Sequence, residues 1–165
     1  MVPISILIHY YSDKKFQYEK KEVEFFPNLD LQLDFEVLYD YSSLVTAHFL
    51  ESTFVEAGLA GILLHDKYSY CHGRSTLGSK RKSNLIYLMS ATKDLDNVLL
   101  ANLPLLYDNI LILQSDFTDS VLADYDLLCQ SFSFVYGLSK KLKRDLSKVT
   151  YAKIVPKLYH FKGSM

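Results

Sequence analysis

The chain has no tryptophan, only two cysteines, four prolines and six glycines in 165 residues, and no excess of either charge. Each shortage excludes something. Cys71 and Cys129 are far apart and in no Cys-x-x-Cys spacing, so a zinc site lacks its usual ligand pattern. Two readings of the pair stay open: one disulfide in an oxidising compartment, or two buried thiols. Eighteen basic residues against nineteen acidic ones leave a net charge of −1, which supplies no global field for nucleic acid, a membrane surface or an acidic substrate. The opening run "MVPISILIHYYSDKK" holds only a few successive apolar residues with no basic flank ahead of them, so neither a signal peptide nor a transmembrane anchor is read there. No Gly-x-Ser-x-Gly elbow, phosphate-binding glycine loop or dinucleotide fingerprint occurs, which removes the commonest enzyme signatures.

What is present is globular composition. Hydrophobic residues make up 49% and charged ones 22%, enough for one sizeable core and too little chain for two, so a single domain over residues 1–165 is expected. Thirteen tyrosines and ten phenylalanines point to a core with polar edges rather than to a disordered chain.

The hydrophobic pattern divides the chain. Residues 2–11 alternate like a strand, and residues 22–40 read as two further strands turning at Pro27-Asn28, so residues 1–60 form a β-rich lead-in closed by a helix. That helix, residues 43–57, has apolar residues at helical spacing, Ser42 or Ser43 as N-cap and Gly58 as its stop. Residues 61–165 then alternate: strand 61–65, a loop around Arg74, a fully apolar strand 84–91, a helix 94–106 broken near Pro104, a buried strand 109–117, a long amphipathic helix 119–146, and a last strand in "YAKIVPKLYHF". The order predicts an α/β fold with a mostly parallel sheet and flanking helices.

Four groups of residues carry possible chemistry. Arg74 with Lys80, Arg81 and Lys82 suits phosphate oxygens, or is simply a solvated loop. Lys140, Lys141, Lys143 and Arg144 stand where cations complement a helix C-terminus. Asp116 and Asp119 stand at the C-terminal end of an expected parallel strand, as paired site carboxylates or as the cap of the next helix. His65-Asp66 and Cys71-His72 could be recruited to a metal, but the five histidines share no paired spacing, and surface or satisfied core positions account for them as well.

Taken in order, these pieces resemble the β-1,3-galactosyltransferase family, glycosyltransferase family 31. "GRSTLG" is similar to its Ile-Arg-x-Thr-Trp-Gly motif at Arg74, Thr76 and Gly78, with Gly73 for the Ile and Leu77 for the Trp. "LYDNILILQSDFTDSV" resembles Tyr-x-Asp-Ile-x-x-x-Asp-Phe-x-Asp-Ser-Tyr, keeping Tyr107, Asp116, Phe117, Asp119 and Ser120 and placing Val121 at the final Tyr. "YAKIVPK" resembles the strand that leads to the family's Asp-Asp-Asp motif, whose three positions are here Tyr159, His160 and Phe161. The resemblance spans residues 61–158. It implies part of a GT-A nucleotide-sugar-binding fold, a UDP-sugar donor, a glycan or protein acceptor, transfer of a hexose to a hydroxyl, and a Golgi setting. Arg74, Asp116 and Asp119 would lie near the donor. The Mn2+ that the family holds through its aspartates would lack them here, so the expected protein is an incomplete or inactive transferase. The alternative is a non-catalytic α/β module that docks a protein partner, in a cytoplasmic setting. Short basic runs and near-zero net charge argue against nucleic acid.

Overall fold

A computed structural model describes residues 29–148 apart from 79, 81 and 91–93. Four strands, β1 (Phe35–Tyr39), β2 (Ile62–Asp66), β3 (Asn84–Met89) and β4 (Asn109–Gln114), form one sheet in the order β2-β1-β3-β4, with every pair parallel. Three longer helices join or follow them: α1 (Leu44–Glu56) after β1, α2 (Asp94–Asn102) after β3 and α3 (Ser120–Lys141) after β4. The α/β class and the parallel sheet are as the alternation predicts. The sheet begins earlier than the strand at 61–65: β1 lies between β2 and β3 and pairs with both.

Side chains alternate across a strand, so each face collects its own core. Phe35, Val37, Ile86, Leu88, Leu111 and Leu113 meet α1 and α3 through Ala47, Leu50, Phe54, Leu127, Phe134 and Leu138. Phe35 sits edge-on to Phe54 at 5.1 Å between ring centres, which contributes about 1 kcal/mol beyond burial alone. On the opposite face Leu38, Leu85, Tyr87 and Met89 pack with Tyr70, Leu99, Leu103 and Tyr107. The result is three layers, helix on sheet on helix.

Several boundaries differ from the pattern, each for a local reason. The stretch expected to be a loop around Arg74 is a run of single helical turns, Lys67–Ser69, Tyr70–Arg74 and Ser75–Gly78. Asp66 starts it by accepting the Ser69 N–H at 3.0 Å, and Gly73, at φ +119, kinks it where a side-chain-bearing residue would be strained. The strand at 109–117 stops at Gln114 and is not buried on both faces: Ile112 is 41% exposed, because β4 pairs only with β3 among the described residues. By contrast β3 is buried at all six positions, as its continuous apolar run implies.

The helix expected over 119–146 ends at Lys141. Lys143 turns into the left-handed region at φ +53, and Arg144 N–H reaches the Ser139 carbonyl at 2.8 Å, a stop usually written with glycine. Pro104 does break the helix before it, into a turn at Leu103–Leu105. The expected strand at 2–11, the first strand of 22–40 and the last strand in "YAKIVPKLYHF" lie outside the described residues.

Candidate functional site

The chain leaves β1 into α1 on one face of the sheet and leaves β3 into α2 on the other. Neighbouring parallel strands whose connections part in this way open a crevice at their C-terminal ends, where α/β sheets take ligands. The β1 side is the turn Tyr41–Ser43, which Asp40 caps: its Oδ1 accepts the Ser42 N–H at 2.9 Å and the Ser42 hydroxyl at 2.6 Å. The Ser43 hydroxyl returns the contact by accepting the Asp40 N–H at 3.1 Å. The β3 side begins at Ser90. Ser42 Oγ and Ser90 Oγ meet at 2.6 Å, so two hydroxyls bridge the strand ends.

Beneath them lies a buried ionic cluster. Lys67, only 1% exposed, places its ammonium 2.7 Å from Asp96 Oδ1 and 3.6 Å from Asp40 Oδ2, and 4.5 Å from the centre of the Tyr87 ring. Tyr87 donates its hydroxyl to the same Asp96 oxygen at 2.5 Å. Burial, with the Asp96 charge beside it, raises the Tyr87 pKa, so this phenol stays a donor. The cluster links three segments, β1 through Asp40, the turn after β2 through Lys67, and α2 through Asp96. An ammonium between two carboxylates fills the position a divalent cation would need.

The N-terminus of α1, directly after the Tyr41–Ser43 turn, is closed from another helix. Asp124 of α3 accepts the N–H groups of Val45 and Thr46, each at 3.0 Å, and the Thr46 hydroxyl at 2.5 Å. Ser43 stands at the N-cap position but makes no side-chain cap bond, so the expected cap residue is right in place and its role is taken by Asp124.

A second buried network lies toward the other end of the sheet. Glu36 accepts from Ser83 at 2.7 Å and from Tyr107 at 2.8 Å, and lies 3.1 Å from His65 Nε2. Burial alone would push its pKa up, but the hydrogen bonds from His65, Ser83 and Tyr107 outweigh it and hold the carboxyl near 2. Tyr70 meets Tyr107, oxygen to oxygen, at 3.0 Å. Arg74, itself exposed, brings Nη1 to 3.4 Å from His65 Nδ1.

The residues expected near a donor therefore fall apart into two places. Arg74 comes after β2 and reaches His65 of that strand, while Asp116 and Asp119 follow β4, and β1 and β3 lie between those two strands. Asp119 is the cap of α3, accepting the Val121 N–H at 2.9 Å and the Leu122 N–H at 3.0 Å. Asp116 is exposed. Lys80 and Lys82 are exposed and Arg81 lies outside the described residues, while Lys140 and Lys141 occupy the last turn of α3 as the helix dipole favours. Both cysteines are free, Cys71 exposed and Cys129 half-buried. Among the described residues no group of three or more His, Cys, Asp or Glu is gathered for a metal ion, and positions 159–161, where the resemblance would put the metal motif, lie outside them.

The sequence pattern offered Ser42 only as a helix cap and did not single out Ser90, Lys67 or Asp96. Only the hydroxyl run Tyr41-Ser42-Ser43 directly after a strand, and Ser90 directly after another, were signals available without coordinates. No protein-family model matches the chain, and comparison with curated proteins gives no match.

Proposed function

We propose that this is a binding domain for a small, hydroxylated, anionic ligand at the crevice between β1 and β3, and that a UDP-sugar is the class to try first. The observation that carries the reading is the 2.6 Å meeting of Ser42 and Ser90 where the two connections diverge. Ser42 gives its one proton to Asp40 and Ser90 then gives its own to Ser42, so both oxygens keep lone pairs that accept from sugar hydroxyls, and a phosphate oxygen is met when one hydroxyl turns from its present acceptor. The buried Lys67 cluster holds both strand ends in place without itself being open to solvent.

The sugar nucleotide comes from the sequence resemblance, and with it the transfer of a hexose to an acceptor hydroxyl and a Golgi setting. Asp116 and Asp119 favour it by standing at the C-terminal end of β4, next to β3. The separation of Arg74 from them counts the other way. No catalytic step is assigned to any of the three, and none is routed through a metal.

Thermal unfolding of the chain with UDP-galactose, UDP and free galactose tests the reading. A ligand bound only to the folded state stabilises it by about 2.7 kcal/mol at one hundred times its dissociation constant. UDP-galactose is expected to raise the midpoint, and Ser42→Ala with Ser90→Ala to abolish the rise. An unchanged midpoint at millimolar UDP-galactose and UDP, in a cooperatively folded protein, would remove the sugar-nucleotide reading.

A further inference from the structure

The solvent side of α3 is apolar where a surface helix is normally charged. Its charged residues between Ser120 and Ser139 are Asp124, which caps α1, and Asp126, which is buried. The outward arc is Val121, Tyr125, Cys129, Phe132 and Tyr136, spaced three or four apart so that all share one side. Val121, Phe132 and Tyr136 are 59%, 49% and 58% exposed. The arc continues onto α1, where Phe49 packs on Phe132 at 4.3 Å between ring centres and Val45 is 62% exposed. An apolar band of this kind marks a surface built to be covered, and its exposed members keep their exposure among the described residues.

The ends of the arc say what covers it. Asp119 stands just before the band and Lys140 and Lys141 just after it, so one helix carries negative charge at its start and positive charge at its end. Turned end for end, the same helix is its own complement: apolar centre on apolar centre, Asp119 toward Lys140 of the other copy. A two-fold axis makes that match, because an isologous interface pairs each residue with its counterpart's partner. Two independent features fix the register. The midpoint between Val121 and Tyr136, and that between Asp119 and Lys140, both fall within one residue of Cys129. Asp119 and Lys140 also lie on the same flank of the band, about 60° apart around the helix, as a two-fold axis requires.

We propose that the chain forms a two-fold dimer through antiparallel packing of α3 on α3, flanked by α1, with Cys129 beside the axis. The face is two helices wide and its apolar arc about 22 Å long, a footprint of roughly 450 Å2 on each copy, about 900 Å2 in all, which is the size of weak, transient interfaces. Micromolar association is the expected range. The inference does not depend on the ligand crevice, and it gives the interaction-module reading of the sequence a location.

The experiment is sedimentation equilibrium of the full chain from about 1 to 200 µM, together with crosslinking by a short bis-maleimide in a Cys71→Ser background. The expected result is a shift from 19.0 kDa toward twice that mass, and a covalent dimer that Cys129→Ser abolishes. Phe132→Glu should leave a monomer with unchanged unfolding cooperativity, since that ring is half in solvent already. Lys140→Glu should weaken association at least tenfold at low salt by facing Asp119 with a like charge. A monomer at every concentration would overturn the proposal, whatever other protein might cover the band. A dimer that ignores Phe132→Glu and gives no Cys129 crosslink would overturn it as well, by placing the interface elsewhere.

Discussion

Thr46 and Asp124, 78 residues apart, are joined through both backbone and side chain: the Thr46 N–H and hydroxyl each reach Asp124 Oδ1, and the hydroxyl also lies 2.9 Å from the Asp124 carbonyl. The contact pins the start of α1 against the first turns of α3, where a helix otherwise leaves N–H groups unpaired. It also puts a negative group at the positive end of the α1 dipole.

Removing that carboxylate should therefore cost more than an ordinary surface change. Asp124→Ala is expected to destabilise the fold by about 1–2 kcal/mol, the range of a lost N-cap, and Asp124→Asn by less because its amide oxygen still accepts. Urea unfolding of the two variants checks the order. Equal stability of Asp124→Ala and the unmodified chain would mean that water replaces the cap at no loss.

Glu36 makes the acid limb of the stability curve predictable. Its carboxyl titrates near 2 in the fold against 4.5 when free, so above about pH 4.5 it is charged in both states and its stabilisation is complete. As pH falls from 4.5 toward 2 the unfolded chain takes up the proton first, and the stabilisation, at most roughly 3 kcal/mol, drains away. Glu36→Gln should be less stable at neutral pH and should flatten the curve between those values. A variant whose acid limb still parallels that of the unmodified chain would show that other carboxylates set it.

Much of the fold is written locally. The α1 helix needs only its own spacing of Ala47, Leu50 and Phe54 with Gly58 to stop it, and β3 needs only six consecutive buried positions. What local pattern cannot carry is partnership over distance. Asp124 reads as one more charge on an amphipathic helix until α1 lies beside it, and Glu36 reads as a polar residue in a strand until Ser83 and Tyr107 close over it. The segment at 67–78 reads as a loop because its glycines and hydroxyls are turn residues. It coils because Asp66 caps its first turn and Tyr70 buries its ring against Tyr107. The same limit explains the site: Ser42 and Ser90 come together only because β3 pairs with β1 and not with β2.

The buried lysine gives a test of the ionic cluster. Lys67→Met leaves Asp96 and Asp40 facing each other without their cation, and breaking such a pair costs about 3–5 kcal/mol. Adding Asp96→Asn removes one of the stranded charges while keeping an acceptor for the Tyr87 hydroxyl. The double variant should therefore recover part of the loss, with a coupling of about 1–3 kcal/mol in the four-way cycle of unfolding free energies. Strict additivity would mean that the two side chains do not sense each other.

Lys143 offers the opposite sign, a substitution that should stabilise. It holds φ +53 at the position where helices usually place glycine, and a side chain there costs about 1–2 kcal/mol. Glycine relieves that strain but gives the unfolded chain more freedom, which takes back about 0.4–1 kcal/mol. Lys143→Gly is thus expected to gain up to about 1 kcal/mol, because Arg144 N–H to Ser139 and Lys143 N–H to Lys140 are backbone bonds that survive the change. Lys143→Ala is the control: it keeps the Cβ, removes the charge, and should show no such gain. Were alanine to stabilise as much as glycine, the lysine charge beside Lys140 and Lys141, and not the backbone angle, would be the source of the strain.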